Sequence, residues 1–357
     1  MLAELFSGKN APLIGLDISG SAVKMVEVAS PGKGTYRIER YAIELLPAES
    51  VVDGNIANVD AVAEVVRRCH KKLATRTRNV AMALPSAAVI TKRIICPAGL
   101  REDELEAQVE SEANQYIPFS LDEVNLDFRV LGASGTDGNE VEVLLAASRK
   151  EKVEDRIAVA ESAGLRTMVM DVESYAMQLA FELVRTKLTH GKSEANVVSA
   201  DIGSIDTKVT VFRDQEVVYQ REQAFGGAHL NLEIQRHFGL SADEAETAKR
   251  TGSLPASYEA EVLRPFLENA ALEVQRALQL FYSSTQYNSV DHIVVAGGCA
   301  SLPGLNEAIT AKTGVPSTIA NPFAAMQIAQ RVQLKRLVAD APALMIACGL
   351  AMRRFDA

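Results

Sequence analysis

The stretch "ADIGSIDTKVTVF", residues 200–212, ends a β-type run on an acidic residue, turns through small residues and returns into a second β-type run. An earlier stretch, "GLDISGSAVKMVEV" (15–28), has the same design. Each places Asp-Ile ahead of the turn and a Lys seven positions after the Asp: Asp17 with Lys24, and Asp201 with Lys208. One copy alone is a common tight turn. Two strand-flanked copies, one opening each half of a 357-residue chain, imply two related halves.

The surrounding pattern supports an α/β fold. The first copy opens a β-meander, "PLIGLDI", "VKMVEVA" and "TYRIERYAIELL", with a hairpin turn at "SPGKG" (30–34). A helix is expected over about 60–75, with Val62, Val65, Val66, Cys69 and Leu73 on one face. Its other face carries Arg67, Arg68, Lys71 and Lys72, a solvated face by default and a docking patch as the alternative. "NVAMALP" (79–85) reads as a buried strand. Residues 86–170 read as an inserted α+β unit of order β-α-β-β-α-β, including an acidic helix over 101–115. "TKLTHGKSEAN" (186–196) reads as a polar linker.

The second half repeats the meander, then passes through a helical region (about 228–288), a strand (292–297) and a helix (about 304–313). It closes on an apolar helix, "ALMIACGLAMRRF", whose "CGLA" is small enough for close packing. The implied division is a first subdomain (1–85 with 171–190), the inserted unit (86–170), a second half (196–345) and a closing helix (343–357).

Composition narrows the function. The chain is 48% hydrophobic with a net charge of −9, which argues against nucleic acid as a main partner. Cys69, Cys96, Cys299 and Cys348 have no metal-ligand spacing. No run of 18 apolar residues is present, so no transmembrane helix is expected and the chain reads as cytoplasmic. The opening "MLAELFSGKN" reads as a frayed terminus, with a small amphipathic foot on a membrane or partner as the alternative.

A repeated acidic turn suits a nucleotide whose phosphates are held from two sides. Backbone N–H groups of small residues bind phosphate oxygens closely; here they belong to Ser19, Gly20 and Ser21, and to Gly203, Ser204 and Ile205. Asp17 and Asp201 cannot bind phosphate directly, but carboxylates there can hold Mg²⁺ or its water shell and orient a water. Lys24 is placed to reach a β-phosphate. "FGGAHL" (225–230) opens a helix with Gly226 and Gly227, whose N–H groups can approach an anion. A capping box, Ser241 to Glu244, starts the next helix. On it Glu246 and Lys249 suit a ribose or adenine edge, or form a plain surface ion pair. Gly297 and Gly298 in "VVAGGCASLPG" (294–304) can pack a base or phosphate on bare backbone, or make a tight β–α turn.

With these motifs the chain resembles the actin-like ATPase superfamily over nearly its whole length. "GLDISGSAVK" and "SADIGSIDTKV" resemble its two phosphate motifs, "HIVVAGGCASLPGL" its adenosine motif, and "DVESYAMQLAF" (171–181) its connecting helix. The resemblance places Glu173 near the metal and water, so Asp201 and Glu173 are the candidate catalytic residues. "EANQYIPFSLDEVNLDF" and "VLLAASRKEKVEDRI" narrow the match: the chain resembles the PilM family of type IV pilus assembly, with an FtsA-type insertion. That resemblance implies ATP with Mg²⁺, and a peripheral place at the inner face of the inner membrane. It also implies a partner, the cytoplasmic N-terminal segment of PilN, docked between the first subdomain and the inserted unit. A link to the pilus motor follows from it, and self-association stays open. Two departures stand out. Ser19 replaces the usual glycine, and no amphipathic helix follows "RRFDA", so membrane attachment is expected through partners. The expected function is a nucleotide-gated scaffold with slow or absent hydrolysis; the alternative is an active ATPase or a small-molecule kinase of this fold.

Overall fold

The computed structural model describes residues 11–32, 34–134, 138–188, 195–214 and 216–356. The opening decapeptide and residues 189–194 of the expected linker lie outside them.

The first part of the chain contains β1 (Ile14–Ile18), β2 (Ala22–Gly32), β3 (Thr35–Leu45), β4 (Val51–Val52), β5 (Asn55–Ile56), α1 (Val59–Leu73) and β6 (Asn79–Leu84). Next come β7 (Val89–Pro97), α2 (Glu102–Ala113), β8 (Val124–Ser134), β9 (Glu140–Arg149), α3 (Lys150–Ser162), β10 (Arg166–Val172) and α4 (Glu173–Leu188). The second part has β11 (Asn196–Ile202), β12 (Thr207–Arg213), β13 (Glu216–Gln223), α5 (Gly227–Phe238), α6 (Ala242–Thr251), α7 (Arg264–Ser284) and β14 (His292–Ala296). It ends with α8 (Leu305–Thr313), β15 (Ser317–Ile319), β16 (Gln327–Ile328), α9 (Leu334–Asp340) and α10 (Met345–Met352). No helix among the described residues is long and apolar enough to cross a membrane.

Two sheets share one topology. The first runs β10-β6-β1-β2-β3-β16 and the second β15-β14-β11-β12-β13. In each, an antiparallel meander is extended by parallel strands beside its first member: β6 beside β1, and β14 beside β11. No residue of "VKMVEVA" or "TKVTVF" is exposed, as suits strands covered on both faces. Phe181 of α4 stacks on Phe212 of β12, with ring centroids 4.3 Å apart. Together with Val26, Val28, Met345 and Cys348 they form a core between the two sheets. The apolar face expected on α1 is buried on the outer side of the first sheet.

The closing helix is a wedge. A Cβ on Gly349 would stand 1.8 Å from the carbonyl oxygen of Ala176, and one on Gly15 would stand 1.9 Å from that of Ala347. Only glycine lets α10 approach both α4 and β1 this closely.

Two expected boundaries shift. The inserted unit is shorter than 86–170: its sheet, β7-β9-β8, ends at Arg149. Its core is Ile94, Cys96, Val109, Ala113, Val143 and Leu145, with α2 as its helix. The elements α3 and β10 belong to the first sheet instead. β10 pairs with β6 in parallel, and Val159, Ala160, Ala163 and Leu165 enter the core around α1. These apolar residues are buried by α1 and β6, not by the small three-stranded sheet. The expected linker also starts late, because α4 continues to Leu188.

Candidate functional site: a paired-turn cleft

The two acidic turns are built alike. Asp17 is level with Lys24 in the β1–β2 ladder, and Asp201 with Lys208 in the β11–β12 ladder. The N–H of Ser19 donates to the carbonyl of Ala22 (3.0 Å), and that of Gly203 to the carbonyl of Asp206 (2.8 Å). The next two N–H groups of each turn, Gly20 with Ser21 and Ser204 with Ile205, have no backbone acceptor among the described residues. Ser19 also donates its hydroxyl to Ala22 O (2.9 Å), so its side chain helps to close the turn. The turns meet: a Cβ on Gly20 would stand 2.6 Å from Cδ1 of Ile205.

The charged residues form a network across this junction. Lys24 Nζ donates to buried Asp17 (2.9 Å). Burial works against the Lys24 ion, but Asp17 outweighs it and the pKa rises. Lys208 Nζ donates to Glu173 at the start of α4 (2.9 Å) and lies 3.5 Å from Asp206. Its pKa also rises, because Glu173 and Asp206 together overcome the cost of burial. Burial pushes the Asp201 carboxyl up to about 6, although Lys208 and Lys24 pull it down.

Three members escape sequence reading. Glu222 of β13 is level with Lys208 and shares a hydrogen bond with Asp206; burial raises its pKa. Arg156 of α3 is buried, donates to Gly54 O (3.0 Å) and has Glu173 and Asp17 within electrostatic reach. Ser199, also on β11, is buried with no partner for its hydroxyl; it lines an open cavity with Asp201, Glu173, Lys208 and Ser86.

Gly226 and Gly227 pack against the second turn. The N–H of Gly227 donates to Gly203 O (3.0 Å) and that of Ala228 to Ser204 O (2.7 Å). The Gly226 N–H meets Nδ1 of His229 (3.3 Å). These donors hold the turn in place rather than standing free. The capping box forms, with Ser241 N–H on Glu244 (2.8 Å). Glu246 and Lys249 are paired at 2.7 Å, and Asn231 completes a triangle: it donates to Glu246 (2.8 Å) and accepts from Lys249 (2.6 Å). Cys299, in the turn after β14, donates its thiol to Gly203 O (3.3 Å). Gly297 has φ +88°, its Cα packed against Ile202 and Asp201, whereas a Cβ on Gly298 would enter open space.

Asp17, Asp201, Asp206, Glu173 and Glu222 outnumber Lys24, Lys208 and Arg156 in this network. Excess hard carboxylate oxygen suits a hydrated divalent cation such as Mg²⁺. No group of three or more acidic, His or Cys residues among the described residues could cage a metal unaided.

Duplicated sheets, each delivering an acidic turn to a shared junction, define the actin-like ATPase fold. A family model described as type IV pilus assembly protein PilM matches residues 15–355. The chain belongs to that family. Among solved structures, the PilM–PilN type IV pilus biogenesis complex is 29% identical, with a TM-score of 0.80, over 98% of this chain and 100% of that one. Ethanolamine utilization protein EutJ from Carboxydothermus hydrogenoformans shares the fold at 18% identity and a TM-score of 0.53, over 95% of this chain and 89% of that one.

Proposed function

We propose that this chain is a nucleotide-dependent scaffold of type IV pilus assembly. It binds the cytoplasmic N-terminal segment of a PilN-like inner-membrane protein and holds ATP with Mg²⁺ between its two acidic turns. The observation that carries the nucleotide reading is the matched pair of turns, each with two N–H groups lacking backbone acceptors, in contact through Gly20 and Ile205. The partner reading is supported by likeness to the PilM–PilN complex over 98% of this chain and 100% of that one.

Asp201 and Asp17 orient the metal's water shell, Gly20, Ser21, Ser204 and Ile205 present donors to phosphate oxygens, and Asn231, Glu246 and Lys249 face the ribose or adenine edge. Mg²⁺, when bound, neutralises phosphate charge. The hydrogen bond between Asp206 and Glu222 and the Lys208–Glu173 pair keep water-orienting groups close to a phosphate, but the chain's role is closure, not rapid turnover. The inserted unit is entered at Ser86, which lines the same cavity as Asp201 and Lys208. Cleft closure therefore moves the base of that unit and sets how the partner groove, between the unit and the first sheet, is presented. The same coupling would carry a nucleotide signal towards the pilus motor, and PilN would hold the chain at the inner face of the membrane.

Nucleotide released from rapidly purified protein, identified by chromatography, tests the cleft. Mostly ATP supports a slow scaffold, mostly ADP supports the active-ATPase alternative, and none removes the nucleotide reading. Titration of a PilN N-terminal peptide with and without Mg-ATP tests the coupling. Equal affinity in both states would refute it.

A further inference from the structure

The cleft occupies the carboxyl-terminal ends of β1 and β6. The opposite end of the same sheet concentrates positive charge in an acidic protein. Residues 67–78, "RRCHKKLATRTR", hold Arg67, Arg68, Lys71, Lys72, Arg76 and Arg78 and no acidic residue, whereas the whole chain carries −9. Two of the six are engaged. Arg67 pairs with Glu64 and donates to Ser162 O (2.7 Å); Lys72 donates to Ile43 O (2.9 Å) and Glu44 (2.7 Å). Arg68, Lys71, Arg76 and Arg78 are exposed, and none has a side-chain hydrogen bond or ion pair among the described residues. Arg166, level with Asn79 where β10 pairs with β6, joins them from the neighbouring strand.

A helix C-terminus favours cations, which accounts for Lys71 and Lys72 at the end of α1. It does not account for Arg76, Arg78 and Arg166, which lie beyond the helix. The segment that presents Arg76 and Arg78 is held in place. The Arg40 guanidinium donates to the carbonyls of Leu73 (3.3 Å) and Ala74, the His70 ring meets Thr77 O (2.8 Å), and the Thr77 hydroxyl donates to Glu27 (2.8 Å). The chain also enters the fold here, since Ile14 is level with Val80 and β1 begins beside Arg78.

We propose that this basic end of the first sheet rests directly on an anionic lipid bilayer. Exposed cations without protein partners among the described residues, grouped at one end of the sheet, match a surface of negative headgroups. The proposal goes beyond the scaffold reading, since it requires neither nucleotide nor PilN and adds a protein-free contact to attachment through partners.

The test is sedimentation of the full chain with vesicles containing roughly 30% phosphatidylglycerol, against pure phosphatidylcholine, at low salt. The expected result is binding to the anionic vesicles alone, weakening at least ~10-fold between about 50 and 300 mM salt as screening shortens. A basic residue close to such a surface counts for about fivefold, so R68A/R76A/R78A/R166A should lose more than ~100-fold. R76E/R78E should bind more weakly than wild type, and K335A/R336A on α9 should bind as wild type does. Four results would overturn the proposal: equal binding to neutral vesicles, no binding to either kind, binding retained by the folded quadruple variant, or preference for a short DNA duplex or an acidic peptide over the vesicles.

Discussion

Asp201 Oδ1 lies so close to Gly297 that a methyl group at position 297 would stand 2.4 Å from it, and only 2.3 Å from the carbonyl oxygen of Ile202. The second acidic turn and the β14 turn are thus one packing unit. Gly297 also holds φ at +88°, where a side chain is strained. Gly297→Ala should cost on the order of 2–3 kcal/mol by chemical denaturation and abolish Mg-ATP binding by calorimetry. A variant of wild-type stability would show that the turn relaxes freely.

Asp201 carries a stability cost when no metal is bound. Burial raises its carboxyl to about 6, so the folded state takes up the proton before the unfolded state does. Such a group favours folding most at low pH, and that contribution is lost as pH rises through about 6. Asp201→Asn should therefore stabilise the nucleotide-free protein at pH 7.5 by about 1–3 kcal/mol, a rise of a few degrees in Tm. The same change should erase the Tm increase caused by Mg-ATP. Destabilisation of the nucleotide-free protein would contradict the electrostatic reading.

Lys208 has the opposite role. It donates to Glu173 and lies beside Asp206 and Asp201, so Lys208→Met leaves carboxylates facing one another. The expected loss at pH 7.5 is about 2–4 kcal/mol, because breaking a buried pair strands its partner. The lysine's pKa is raised, so in the wild type its contribution is complete below the ordinary value of 10.5 and is lost only at higher pH. The variant's deficit should shrink between pH 7.5 and 5 as Asp201, already pushed up to about 6 by burial, takes up its proton. A deficit independent of pH would point to lost packing instead.

Much of this arrangement is legible in the chain. The repeated acidic turn marked both strand–turn–strand units, the valines of α1 marked its buried face, and the small "CGLA" stretch marked the close packing of α10. What stayed hidden depends on register between distant segments. Glu222 reaches Lys208 only through the β12–β13 ladder, and Arg156 reaches the cleft only because α3 returns to the first sheet. Gly226 and Gly227 look like anion donors in sequence, yet Gly227 is bonded to the turn it follows. The order β-α-β-β-α-β likewise fits a self-contained unit, and only the β10–β6 pairing shows where its second helix belongs.

That pairing separates two deletions that look equivalent in sequence. Val89 and Ser148 are directly opposite in the β7–β9 ladder, and Ser148 donates its hydroxyl to Ala88 O (2.8 Å). The two ends of the inserted unit are thus adjacent, and a short glycine bridge can replace residues 89–148. That deletion should leave a cooperative melt and nucleotide binding intact while abolishing binding of a PilN N-terminal peptide. Removing 86–170 also takes away α3 and β10. It strips Val159, Ala160, Ala163 and Leu165 from the core around α1 and exposes the edge of β6. Such a chain should fail to fold, because buried side chains such as Val159 and Leu165 each stabilise by roughly 1.5–3 kcal/mol and the whole fold is only marginally stable. Circular dichroism and thermal melting distinguish the cases. A folded 86–170 deletion would return α3 and β10 to the inserted unit, and peptide binding by the folded 89–148 deletion would move the partner groove elsewhere.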